Sequence, residues 1–148
     1  MYVRRQVPLQ RSPALAIFVR PATWSYDLEL FRSASPDEDR LEALLAAIAI
    51  ENEGLWVVES NERPVAFAHV RTRRGTAHVE CLFVAPGPAP LELLEPLLQR
   101  IEEPIDGRTP RLEIPAEAAR GVDDRTLQTA GLSRQGTVWI RETAVGPE

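Results

Sequence analysis

The run HVECLFVAPGPAPLELLEPLL, residues 78–98, gathers most of the side chains in this chain that could do chemistry. His78 and Glu80 stand two apart. On one strand face they could form an acid/base couple, or they could be polar decoration at a sheet rim. Cys81 beside apolar neighbours reads as an inert core thiol, and in one strand register it could pair with His69 as a nucleophile. His69, His78 and Cys81 lack the paired spacing of a zinc site, so no metal centre is expected. After Val84 an apolar strand turns into an amphipathic helix, a junction where many proteins hold a phosphate on glycine-rich backbone. Here that turn carries prolines and glutamates. Arg71, Arg73 and Arg74 form a small cationic spot at a hairpin tip, which either meets a phosphate or is simply solvated.

The elements that must position these residues are legible from pattern. ALAIFV (14–19) reads as a strand ending at Arg20-Pro21, and ATWSYDLELFRSAS as a short helix or a loop. Ser35 with Pro36 reads as a helix start. The helix after it puts Leu41, Leu44, Leu45, Ile48 and Ala49 on one face and stops near Gly54. LWVVES (55–60), PVAFAHVRT (64–72) and TAHVECLFVAP follow with short polar turns between them, an antiparallel meander. If the second turn is symmetric about Arg74, His78 and Glu80 share a face with Ala66, Ala68 and Val70. His69, Cys81, Phe67 and Phe83 then share the other, and a one-residue shift exchanges partners. A helix within 89–103 contains Pro96, which either kinks it or marks a late start. RLEIP (111–115) is a strand, VDDRTLQTAGL a short helix with an aspartate cap and Gly131 as its stop, and GTVWIRE (136–142) the last strand. Trp24, Trp56 and Trp139 are read as core or interface residues.

The chain has 148 residues, enough for one domain with its own core, and 44% of them are hydrophobic and 26% charged. Residues 1–13 are read as an N-terminal extension or extra strand and 143–148 as a tail. All 17 basic residues are arginine, so lysine chemistry, whether Schiff base, P-loop or general base, is excluded. A net charge of −5 argues against nucleic acid and favours a cationic ligand. No apolar run approaches the ~20 residues of a membrane span, and the early apolar run is too short for a signal peptide. The lone Cys81 excludes an internal disulfide and suits a reducing, cytoplasmic setting.

The element order resembles that of the GCN5-related N-acetyltransferase (GNAT) superfamily, from about residue 15 to 142. FVRPAT looks like that family's first strand and turn. LWVVESNERPVAFAHVRTRRGTAHVECLFVAP looks like its second to fourth strands, and RLEIPAEAARGVDDRTLQTAGLSRQGTVWIRE like its closing strand, helix and strand. The resemblance implies an α/β (α+β) fold, a mixed, mostly antiparallel sheet with helices packed on its faces. It implies an acyl-coenzyme A dependent N-acetyltransferase acting on a small amine. Acetyl-CoA would lie beside the fourth strand, bonded to the main chain of Leu82, Phe83 and Val84. Glu80 matches the position of the general base.

Other positions depart from that pattern. The family's pyrophosphate loop, Q/R-x-x-G-x-G/A, counts onto this chain with Ala89 at the basic position, Pro90 directly after it, and Glu92 and Leu94 at the glycine or small positions. Pro88 and Pro90 have no N–H to donate, and Glu92 and Glu95 face an incoming anion. Two like charges about 4 Å apart repel by roughly 4 kcal/mol at an effective dielectric near 20. The family's tyrosine acid falls on Leu127, with Leu132 in place of the following aromatic; the two tyrosines, Tyr2 and Tyr26, lie elsewhere. The alternative function is therefore a non-catalytic domain of this fold that binds a protein partner or a second copy of itself.

Overall fold

The computed structural model describes residues 17–34, 38–47, 53–103 and 111–142. The proposed helix start at Ser35-Pro36, the helix residues Ile48 and Ala49, and the terminal segments 1–13 and 143–148 lie outside the described residues.

The chain runs β1 (Ile17–Pro21), α1 (Trp24–Ala34), α2 (Glu38–Ala47), β2 (Glu53–Ser60), β3 (Arg63–Arg73), β4 (Thr76–Val84), α3 (Pro90–Ile101) and β5 (Arg111–Pro115). A 3-10 turn at Ala116–Ala118 leads to β6 (Ala119–Arg120), then α4 (Asp124–Thr129), β7 (Ser133–Gln135) and β8 (Val138–Glu142). The ambiguous stretch before Ser35 is thus a true helix. Two strands, β6 and β7, are added to the expected order. Both are two or three residues long, too short for a periodic signal.

The sheet order is β1-β2-β3-β4-β5-β8-β7, with β6 also pairing β4. The meander is antiparallel, β4–β5 and β4–β6 are parallel, and β8 runs antiparallel to β5 and β7. The hairpin turns are each two residues, Asn61-Glu62 and Arg74-Gly75, all four with positive φ. That conformation matches the right-handed twist of the flanking strands, although glutamate and arginine are unusual occupants.

Helices cover both faces. On one, α3 lays Leu94, Leu97, Leu98 and Ile101 against Ala66, Ala68, Val79, Leu82 and Leu112, with Leu127 and Trp139 closing the cluster. On the other, Phe31, Leu41 and Leu44 pack on Val57, Phe67 and Cys81, and Phe31 meets Phe67 edge to face at 5.0 Å between centroids. The interior position of Pro96 does not end α3, which opens earlier, at Pro90. Pro96 lies off the fully buried stripe, so its ring and missing N–H fall where the helix can bend.

A buried charge ties α1 to the sheet. Asp27 is fully buried and accepts two bonds from Arg20, at 2.9 and 2.7 Å, and one from the Thr23 amide at 2.7 Å. Arg20 also pairs with Glu59. Its bonds to Asp27 and then Glu59 hold the guanidinium above its ordinary pKa.

Candidate functional site

The β4 strand carries the candidate site, and its register differs from the symmetric reading. With Arg74-Gly75 as a two-residue turn, Arg71 pairs with His78 and Val70 with Val79. The register then shifts, and His69 pairs with Cys81 and Phe67 with Phe83. Glu80 is the extra residue, a β-bulge. His78 therefore shares a face with Arg71, His69 and Phe67, not with Ala66, Ala68 and Val70; Ala77 and Val79 take that face instead. Phe67, His69, Cys81 and Phe83 do share a face, as expected. Period-two reasoning cannot foresee a bulge, because it assumes unbroken alternation.

The bulge has a consequence at the surface. Glu80 is exposed and makes no hydrogen bond or ion pair among the described residues. It lines a cleft of about 460 Å³ with Arg71, Arg73, His78, Glu113 and Glu117. His78 and Glu80 thus belong to one cleft, but the partner of His78 is Glu113, 3.3 Å from its Nδ1. Glu113 comes from β5, a residue that inspection of the β4 run could not supply. Arg111 Nε donates to its other oxygen at 2.8 Å.

The cleft exists because β4 and β5 pair only at Thr76–His78 with Arg111–Glu113 and then separate. Beyond it the gap is filled by the chain itself. After the 3-10 turn, β6 pairs in parallel with β4, Leu82 with Ala119 and Phe83 with Arg120. The next residue, Gly121, has φ +78°, and a Cβ there would lie 2.0 Å from the Val84 carbonyl oxygen. Only glycine allows so close an approach. Residues 119–121 thus run along all three positions, Leu82, Phe83 and Val84, whose main chain was expected to hold a coenzyme A arm. As they stand, these residues do not fit that arm.

The turn from β4 to α3 does not fit a pyrophosphate either. Pro88 and Pro90 have no N–H, and the Glu92 amide is spent on the Ala89 carbonyl at 3.2 Å. Ala89, the cap residue, supplies no side-chain bond. The space beside the turn is an apolar pocket of about 210 Å³ lined by Val65, Ala85, Pro86, Pro88, Pro90 and Leu93, with Ser60 and Glu92 at its edge. Three of its lining residues are prolines with no N–H, so an anion placed there would meet few donors.

The remaining candidates fall into the scaffold. Leu127 is buried in the core, so the helix position expected to carry an acid packs inward. Cys81 is buried and forms no disulfide. Trp139 is buried and offers no surface patch, and Trp56 is half-buried beneath the Arg100 guanidinium, 4.4 Å from its ring centre. Among the described residues no group of three potential ligands could hold a metal ion, and no helix is long and apolar enough to cross a membrane.

No family model and no curated protein sequence matches the chain. Solved structures do. PaiA N-acetyltransferase from Thermoplasma acidophilum, solved in complex with coenzyme A, is 13% identical over 86% of this chain and 99% of its own, with a TM-score of 0.58. The ribosomal-protein-S18-alanine N-acetyltransferase from Escherichia coli is 13% identical over 85% of this chain and 93% of its own, at 0.62. Aminoglycoside 6'-acetyltransferase type Ii is 10% identical over 84% of this chain and 96% of its own, at 0.65. At these identities the likeness is one of fold. The chain has the fold of the GNAT acetyltransferases, a mixed α+β layer structure with a mostly antiparallel sheet.

Proposed function

We propose that this chain is a non-catalytic binding module of the GNAT fold, whose working surface is the cleft at the β4 bulge. The observation that carries the reading is β6: the chain's own segment 119–121 lies along the β4 edge at Leu82, Phe83 and Val84. Two further features support it. The β4–α3 turn sets prolines beside an apolar pocket, and Leu127 leaves its helix position without a proton donor for a departing thiolate.

One observation favours the rival reading, an acyl-CoA dependent N-acyltransferase with Glu80 as general base: Glu80 is exposed in a cleft large enough for an acceptor amine. Calorimetry and a transfer assay with acetyl-CoA separate the two. The module reading expects no heat, no thermal shift and no acetylated amine at millimolar acetyl-CoA. Saturable binding, or turnover that disappears in Glu80→Gln, would reject it.

A further inference from the structure

The same cleft supports an inference about its ligand, which rests on the reading above and deepens it. Its volume of about 460 Å³ lies within the range of small-molecule sites. Its charges divide by whether they are already paired. Glu113 has Arg111 on one oxygen and His78 Nδ1 3.3 Å from the other, and Arg71 also has an interaction of its own. Glu80, Glu117 and Arg73 are exposed and make no hydrogen bond or ion pair among the described residues. One cleft is therefore lined by two unpaired carboxylates, from β4 and the turn after β5, and by one unpaired guanidinium from β3.

A ligand with a single charge suits only part of this lining. A simple anion would pair with Arg73 but meet two carboxylates, while a simple cation would leave Arg73 unanswered and close to its own charge. A molecule with both ends answers both, since an ammonium group bonds carboxylates and a carboxylate matches the two-pronged guanidinium. Pro115, Ala118 and Val138 supply apolar wall to the same cleft. We propose that the cleft binds a small zwitterion of amino-acid to dipeptide size. Its free amine lies against Glu80 and Glu117, and its free carboxylate against Arg73.

The test is a thermal-shift and ligand-observed NMR screen of the full chain with the free amino acids and a set of dipeptides. Each hit is repeated as its N-acetyl and its C-amide form. The expected result is at least one hit, with blocking of either end weakening it about tenfold or more. Arg73→Gln and Glu117→Gln should each weaken it by a similar factor, while Arg63→Gln, at the far end of β3, leaves it unchanged. Circular dichroism checks that the variants fold, and the blocked ligands test the proposal without any variant. A silent panel, blocked forms that bind as well, or folded variants with unchanged affinity would each overturn the assignment. A silent panel leaves the cofactor-free reading standing. Acetyl transfer onto a bound hit overturns that reading and leaves the zwitterion assignment standing.

Discussion

The two ends of the gap beside β4 are built from the same strands and end in opposite states. At the mouth, from His78 to Glu80, β4 and β5 part, a bulge turns Glu80 outward, and an open charged cleft remains. At the base, from Leu82 to Val84, the returning chain lays Ala119, Arg120 and Gly121 against β4 and the gap is closed. The mouth keeps polar groups that the fold does not need. The base spends its main-chain groups on the fold, and a ladder bond once made is not free for a ligand. On the proposed reading, the open end is a place for a small polar molecule and the closed end is not a place for a long cofactor arm.

Substitutions can break this comparison, and the largest effect is expected at the base. Gly121→Ala puts a Cβ into the Val84 carbonyl at a positive φ, so it should cost on the order of 3 kcal/mol in urea unfolding. A neutral result would mean that β6 is not held against β4. The next effect concerns the frame around the base. Arg141 donates to both Glu102 oxygens, at 2.9 and 2.8 Å, and to the Ala130 carbonyl at 2.6 Å, joining α3, α4 and β8. Arg141→Ala leaves the largely buried Glu102 without its partner, at an expected cost of about 2 kcal/mol.

A smaller effect appears in acid. Asp123 caps α4 just after β6, accepting from the Thr126 hydroxyl at 2.7 Å and its amide at 2.9 Å. Those bonds hold its carboxyl below the usual value of 3.8. A carboxyl lowered on folding contributes stability above its unfolded pKa and loses it as pH falls through the folded one. The cap's contribution should therefore be whole at neutral pH and fade below about pH 4. Asp123→Ala should flatten that part of the acid-unfolding profile while costing less than Gly121→Ala at pH 7. At the mouth, Glu80→Gln and Glu117→Gln should leave stability within about 0.5 kcal/mol, as befits exposed groups the fold does not use. A large loss there would erase the contrast between the two ends.

Much of the fold was legible in the residues. The meander, the core stripe of α3, the aspartate cap at Asp123 and the stop at Gly131 each follow from local pattern, because each is made by residues close in sequence. The two N–H groups that Pro88 and Pro90 withdraw from the β4–α3 turn were equally plain, since a proline has no N–H in any fold. The bulge at Glu80 was not legible: HVECLFV alternates well enough to hide one extra residue, and the turn occupants Glu62 and Arg74 are not those that positive φ usually selects. Nor was β6, whose two residues, alanine and arginine, carry no strand signal.

By itself, then, the sequence determined the layer architecture and the prolines that withdraw N–H groups from the β4–α3 turn, because both depend on side-chain pattern and backbone chemistry within short windows. Only the tertiary structure decided that the β4 edge is occupied by the chain's own residues 119–121, and that Glu113 and Glu117 meet His78, Glu80 and Arg73 around one cleft. Those outcomes depend on where two distant strands part and rejoin. That is set by packing across the whole sheet and by a single glycine, not by any local signal.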